Sequence, residues 1–600
     1  MQQRPGDRAI ESMRKQRTQP ALPGVTLPTV PIVAQPLHTP IPFQSARRGQ
    51  RGDNKVLVLW GLALLLEGLY LALYPLLIAG AQMSDPFRRA SEHLFPWVAM
   101  FYWATRWPVL TQLFTSVPWL NPYRAGAINL SLLLLSIACV VTLLAARVGE
   151  RGGRQHLAKV DEKSIFWTVL LVTVLLGMTF VCIPIGKSTL AQDMGLYGLY
   201  GHMVITYHVN PYVVAPTAFP KDLFQVLVVN PKMSGTAPYG PLWLDVSALV
   251  AFLAQNNVAN LLLGFRLFGL AVHLGNTALI WALLTRLKPE VRVSSTLLYA
   301  WNPVVLLLSV GMMHQEGGVV LLGLLAFLFL QRNSRTLAWV FMLLVALTHP
   351  FFLLLLPLFF RVLLKEARVV SIEKRFFWWL GLGCISVLVV GLTYAPYWQG
   401  WGREGLLAYL QQTFLPDTAI NSLDAALRSM PIPLSSMILT GISPAHWAMG
   451  ALAFVGCILL FALWFADTVE LALLFSSWLL MVLLILMPIY WPWYGIPPLA
   501  LTLCSTNRGA RLLMLLLTFG ALLSSLFLLG PAPWPGQALL AVGLPFLFWG
   551  WLLFFNSTWQ MTRPEEAEES EQQARRMPNF SRPPWLSRPS LSSRPGRMRK

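Results

Sequence analysis

Ile165-Phe-Trp-Thr-Val-Leu-Leu-Val-Thr-Val-Leu-Leu-Gly-Met-Thr-Phe-Val-Cys-Ile-Pro-Ile185 is a run of 21 residues without a charge. Such a run crosses a ~30 Å hydrocarbon core only as an α-helix, which satisfies its own backbone hydrogen bonds. At Gly186 the character reverses. The chain reads Ala191-Gln-Asp193-Met-Gly-Leu-Tyr197-Gly-Leu-Tyr200-Gly-His202, then Tyr207-His208-Val-Asn210-Pro211-Tyr212, and closes with Pro238-Tyr239-Gly240-Pro241-Leu-Trp243. A solitary acid followed by aromatics, histidines and rigid turn residues suits a sugar-handling pocket better than a connector.

Outward from this junction the apolar pattern repeats. Apolar residues make up 56% of the chain and charged ones 12%, which defines an all-α polytopic membrane protein. About 14 transmembrane helices are expected, near 56–80, 126–147, 165–185, 259–285, 295–312, 317–331, 335–348, 350–364, 375–394, 447–466, 469–489, 493–505, 511–530 and 535–556. The five cysteines all fall in apolar stretches without a Cys-x-x-Cys spacing. They read as small buried hydrophobes, neither a disulfide framework nor a metal site.

The net charge of +19 raises the question of nucleic acid, and its distribution answers it. Residues 1–53 are Pro-rich and basic, and 557–600 combine an acidic run with Ser-Arg-Pro units. Both tails lack the apolar content to fold and are expected to be disordered. Basic tails beside membrane spans mark a cytoplasmic location and attraction to anionic headgroups, with no nucleic-acid partner. No secretory h-region precedes residue 55. With both termini inside, the basic connections near 148–164, 286–294, 332–335 and 361–375 all fall on the cytoplasmic side of the plasma membrane, as the positive-inside rule requires. This holds only if 241–255, which is short and contains Asp245, lies in the interface or re-enters. Residues 186–258 then form a large extracytoplasmic loop. Residues 54–150 read as an accessory membrane segment and 151–556 as the core.

ATP and sugar nucleotides are not normally available on the outer face, so an enzyme there needs a lipid-carried substrate. No Gly-rich phosphate loop or zinc motif opposes that reading. Asp193 is either a general base for an acceptor hydroxyl or a helix N-cap. Tyr197 and Tyr200 share its helix face, and either stack on a sugar or belong to an interfacial belt. Asn210-Pro211-Tyr212 and Tyr239-Gly240-Pro241 are turn signals first. His314-Gln315-Glu316 interrupts an apolar stretch and is either a loop turn or the lining of a polar cavity. Arg266, inside an apolar span, either pairs with Asp245 or holds a lipid phosphate through its planar fork. His349-Pro350 and Tyr490-Trp-Pro-Trp-Tyr494 are weaker signals, a hairpin break and an aromatic belt first, with sugar contacts as the functional alternative.

Taken in order, these motifs resemble the GT-C superfamily of membrane glycosyltransferases. The closer similarity is to the polyprenol-phosphate-mannose-dependent α-mannosyltransferases of cell-envelope lipoglycans. The family's outward-loop Asp, Tyr-rich helix and Pro-Tyr turn are matched by Asp193, Tyr197 and Asn210-Pro211-Tyr212, and its Tyr-Gly-Pro-Leu-Trp segment by Tyr239 to Trp243. An Arg in the following span is matched by Arg266, and a Trp-Asn-Pro segment by Trp301-Asn302-Pro303. A Gly-x-x-His-Asn-Asp turn stands here as Gly311-Met-Met-His314-Gln315-Glu316, each of the last two one methylene longer.

The resemblance covers about 165–510. It implies a GT-C-like fold and transfer of a hexose, most simply mannose, from a polyprenyl-phosphate donor to a lipid-linked or envelope glycan acceptor. It further implies inversion at C1 with Asp193 as base. Substrate contacts are expected from Tyr197, Tyr200, His202, Asn210, Tyr212, Tyr239, Trp243, Arg266, His314, Gln315 and Glu316. No cofactor is expected, because the phosphate ester is already a good leaving group. The rival readings are a flippase of polyprenol-linked glycans, which calls for paired inverted repeats, and a non-catalytic envelope protein.

Overall fold

The computed structural model describes residues 43–80, 85–101, 123–153, 159–229, 235–366, 372–430, 441–505, 507–528 and 536–560. Most of both tails, 1–42 and 561–600, lies outside them, and with it most of the expectation of disorder. A helix runs over Phe43–Leu71, from the end of the basic segment into the first apolar run. Gln44, Ala46, Arg47 and Arg48 are good helix formers and carry the apolar helix backwards beyond its hydrophobic run.

Among the described residues there is no strand, only an isolated bridge between Ile420 and Ile489. Eight helices are long and apolar enough to cross a membrane: Val56–Ile78, Asn129–Glu150, Glu162–Cys182, Val258–Leu287, Phe376–Tyr397, Pro444–Phe465, Val469–Leu486 and Arg508–Ser525. A ninth counts if the pair Pro289–Ala300 and Pro303–Gly311, bent by 44°, is one span. The remaining expected stretches fall on shorter helices, including Glu316–Gln331, Arg335–Thr348 and Leu539–Phe554. The chain is thus a polytopic helical membrane protein.

The cysteine expectation needs correcting. Cys182 and Cys504 are buried, but Cys384 and Cys457 are exposed. They sit on the span helices Phe376–Tyr397 and Pro444–Phe465, of which little is buried against protein. An apolar residue on such a helix can face lipid as comfortably as a core, so apolar context alone did not imply burial.

The bend at Trp301 positions the site, and the backbone groups beside it find side-chain partners. Pro303 has no N–H to donate, and the Asn302 side chain caps Val304 N at 3.0 Å. The Trp301 carbonyl accepts from the Tyr70 hydroxyl at 3.1 Å and the Thr142 hydroxyl at 3.0 Å. The Ala300 carbonyl meets a His273 ring nitrogen at 2.9 Å. Beyond the bend, Leu306–Gly311 winds as a π-helix, and two residues past its end Met313 has a left-handed φ of +51°. A bulky residue holds that conformation only where its surroundings enforce it.

The polar segment after residue 186 is folded, not an open loop. Gln192–Thr206 and Pro241–Ala254 are helices that lie against each other. Gly201 makes this possible, since a Cβ there would stand 2.3 Å from the Ser247 carbonyl oxygen.

Candidate functional site

Asp193 sits in the first turn of the Gln192–Thr206 helix, whose N-cap is Ala191 with no side-chain cap. The capping alternative is therefore not what its carboxylate does. One oxygen accepts from the Tyr239 hydroxyl at 3.3 Å. The other lies 3.3 Å from His314 Nδ1, at ion-pair distance but off hydrogen-bond geometry. The Asp193 side chain keeps 20% of its surface exposed, while that of His314 has none. An accessible carboxylate steadied on both sides can accept a proton from a bound hydroxyl.

His314 stacks on Trp493, with centroids 3.6 Å apart and planes at 11°. Trp491 stacks in turn on Trp493 at 5.0 Å and 6°. In the sequence both tryptophans and Tyr494 read as belt aromatics, with sugar contacts as the alternative. The Trp-Pro-Trp-Tyr run breaking two apolar stretches was the available signal, and it did not say which residues it would meet. Tyr494, Glu316 and His349 line a small, mostly apolar cavity. Leu480, Leu483, Leu484 and Met487 line it as well, at the spacing of one helix face. Burial holds the His349 imidazole down, to about 4, so it is neutral. A second small apolar cavity shares Phe352 and Leu480 with the first.

Tyr197 and Tyr239 meet edge to face at 4.8 Å, and Tyr197 meets Trp243 at 5.2 Å. Tyr197, Tyr200 and Trp243 are almost fully buried, so they build the wall behind Asp193 and present no open ring to a sugar. Tyr200 donates to the Gly235 carbonyl at 2.7 Å. The Tyr197 hydroxyl accepts from Gln315 N at 3.4 Å. The Gln315 side-chain oxygen and Glu316 Oε2 are buried without partners, available to a polar ligand.

Other expected contacts are engaged elsewhere. His202 lies nine residues along the helix from Asp193, on its opposite face. Its ring nitrogens meet Asp222 at 2.6 Å and Asn256 at 2.8 Å, and the Asp222 hydrogen bond raises its pKa. Asn210 donates to the Tyr397 carbonyl at 2.6 Å and accepts from Tyr212 N at 3.0 Å. Tyr212 donates to the Tyr239 carbonyl at 2.6 Å and stacks on Trp401 at 4.4 Å. Asp245 accepts from the Tyr397 hydroxyl at 2.7 Å. Arg266 hydrogen-bonds instead to the Gly311 and Val181 carbonyls, each at 3.0 Å.

The site thus sets a part-exposed carboxylate beside an aromatic wall in a helical membrane protein, and the comparison with known families bears on what it does. Residues 98–365, rather less than half of the chain, match the family described as alpha-(1->6)-mannopyranosyltransferase, N-terminal domain. The protein is accordingly a glycosyltransferase similar to mannosyltransferases, and the match supports mannose as the sugar transferred. It begins inside the stretch that the motif resemblance left out and contains every expected site residue. No curated protein and no solved structure matches.

Proposed function

We propose that the protein transfers mannose from a polyprenyl-phosphate donor to a lipid-linked or envelope glycan acceptor on the extracytoplasmic face, inverting at C1. The observation that carries this is Asp193: a part-exposed carboxylate held by Tyr239 and His314. The acceptor hydroxyl loses its proton to Asp193 as its oxygen forms a bond to C1. The C1–O bond to phosphate breaks, and its electron pair leaves with the lipid phosphate. One displacement with one base inverts the centre, and no covalent intermediate forms.

The Trp491 ring, partly exposed and stacked on the buried Trp493 beside His314, supplies a face for the sugar. The lining of the small cavity at Glu316 and Tyr494 is mainly apolar, which is more in keeping with a lipid donor than with a water-soluble nucleotide. Purified protein given radiolabelled polyprenyl-phosphate mannose, its glucose and arabinose counterparts, and a sugar-nucleotide mannose donor tests the reading. Mannose should move only from the lipid phosphate. Transfer from the nucleotide by the purified protein alone would overturn it.

A further inference from the structure

We infer that Arg266 is a positioning residue, which fixes the Gly311–His314 turn so that His314 faces Asp193 and does not itself touch the donor. The inference rests on the Asp193–His314 pairing proposed above. It begins from backbone accounting. The π-helix Leu306–Gly311 and the left-handed Met313 interrupt the regular ladder. Met312 N reaches back to Leu307 O at 2.9 Å and His314 N to Leu308 O at 3.0 Å. In a continuous α-helix, Gln315 N would bond the Gly311 carbonyl. Here Gln315 N goes to the Tyr197 hydroxyl, so the Gly311 carbonyl needs another donor in a dry interior.

Arg266 supplies it. Its Nε donates to Gly311 O and its Nη1 to Val181 O, each at 3.0 Å, with Ser91 Oγ at 3.5 Å from the same Nη1. The planar fork thereby ties the turn to the end of the Lys159–Cys182 helix. Arg266 is 3% exposed. Its remaining nitrogen, Nη2, is buried without a protein partner, and Arg266 lines a very small cavity with Ala90, Ser91, Leu94 and Phe95. That cavity shares no lining residue with the one beneath Glu316.

Gly269, one turn further along the same helix, presses on the same segment. A Cβ there would stand 2.5 Å from Ser309 O and 2.6 Å from the Met313 sulfur. Arg266 and Gly269, on one face of the Val258–Leu287 helix, thus both bear on the segment that aims His314. Met313 stays left-handed only while its neighbours are fixed.

The test uses the full-length purified enzyme. Arg266→Lys keeps the charge but cannot serve both carbonyls in one plane. It should lower kcat by about tenfold or more with donor KM changed less than about threefold, and it should alter the pH profile of kcat. Combined with His314→Gln it should be non-additive, because misplacing an absent imidazole costs nothing further. Gly269→Ala should show the same kcat-only signature and the same non-additivity, and it decides the question alone where Arg266→Lys does not fold. A rise in donor KM at unchanged kcat would make Arg266 a phosphate ligand. Additivity with His314→Gln, or wild-type kcat in folded Gly269→Ala, would equally overturn the inference. Asp193→Asn assayed alongside keeps the two readings apart: an active Asn variant defeats the base assignment, while the coupling of Arg266 to His314 is still measured.

Discussion

At the scale of residues, the mechanism turns on one carboxylate. Asp193→Asn preserves shape and still accepts from Tyr239, so thermal stability should stay near wild type. Loss of the base should slow transfer by about 10²–10⁴-fold, and an Asn variant with normal kcat would remove Asp193 from the chemistry. His202 makes a contrasting case. Its pKa is raised by Asp222, so the protonated form is favoured in the folded state. That contribution is fully present below the unfolded value of about 6.5 and is lost as pH rises through the raised folded value. His202→Gln should therefore lower the Tm more near pH 6 than near pH 9, with transfer chemistry otherwise intact. Equal losses at both pH values would show that the ring packs but does not pair as a cation.

At the scale of elements, two helix pairs carry the site. The pair Gln192–Thr206 and Pro241–Ala254 brings Tyr197, Tyr239 and Trp243 behind Asp193, and its closeness depends on Gly201. Gly201→Ala places a methyl against the backbone of Ser247, which cannot rotate aside. Overpacking of this kind costs about 1–3 kcal/mol. A reduced Tm with a smaller fall in activity per folded molecule is expected, and an unchanged Tm would mean that the two helices separate at little cost. The broken pair around Trp301 does the opposite work. It spends regular hydrogen bonds to end a helix inside the protein, and Tyr70, Thr142, His273 and Arg266 recover them. The Asp193–Tyr197 spacing was legible because a helix repeats every 3.6 residues. The π-turn before His314 was not, since Leu-Leu-Leu-Ser-Val-Gly carries no local mark of it.

At the scale of the whole molecule, the proposed chemistry requires the segment after residue 186 to face outward. In a background lacking the native cysteines, an impermeant thiol reagent applied to intact cells should label Thr217→Cys and leave Glu290→Cys unlabelled. The reverse pattern would invert the topology and remove the case for a lipid-carried donor. The sequence by itself determined that this is a helical membrane protein, where its apolar runs lie, and that Asp193, Tyr197, Arg266 and His314 are out of place among them. Those facts follow from hydropathy and helical period, which act over one or two turns of chain. Only the tertiary structure decided that His314 and Tyr239 flank Asp193, that Trp493 covers His314, and that Arg266 serves Gly311 and not Asp245. These partners lie tens to hundreds of residues apart in the sequence. What joins them is the packing of helices and the carbonyls that a bend leaves exposed, and neither is encoded within a single segment.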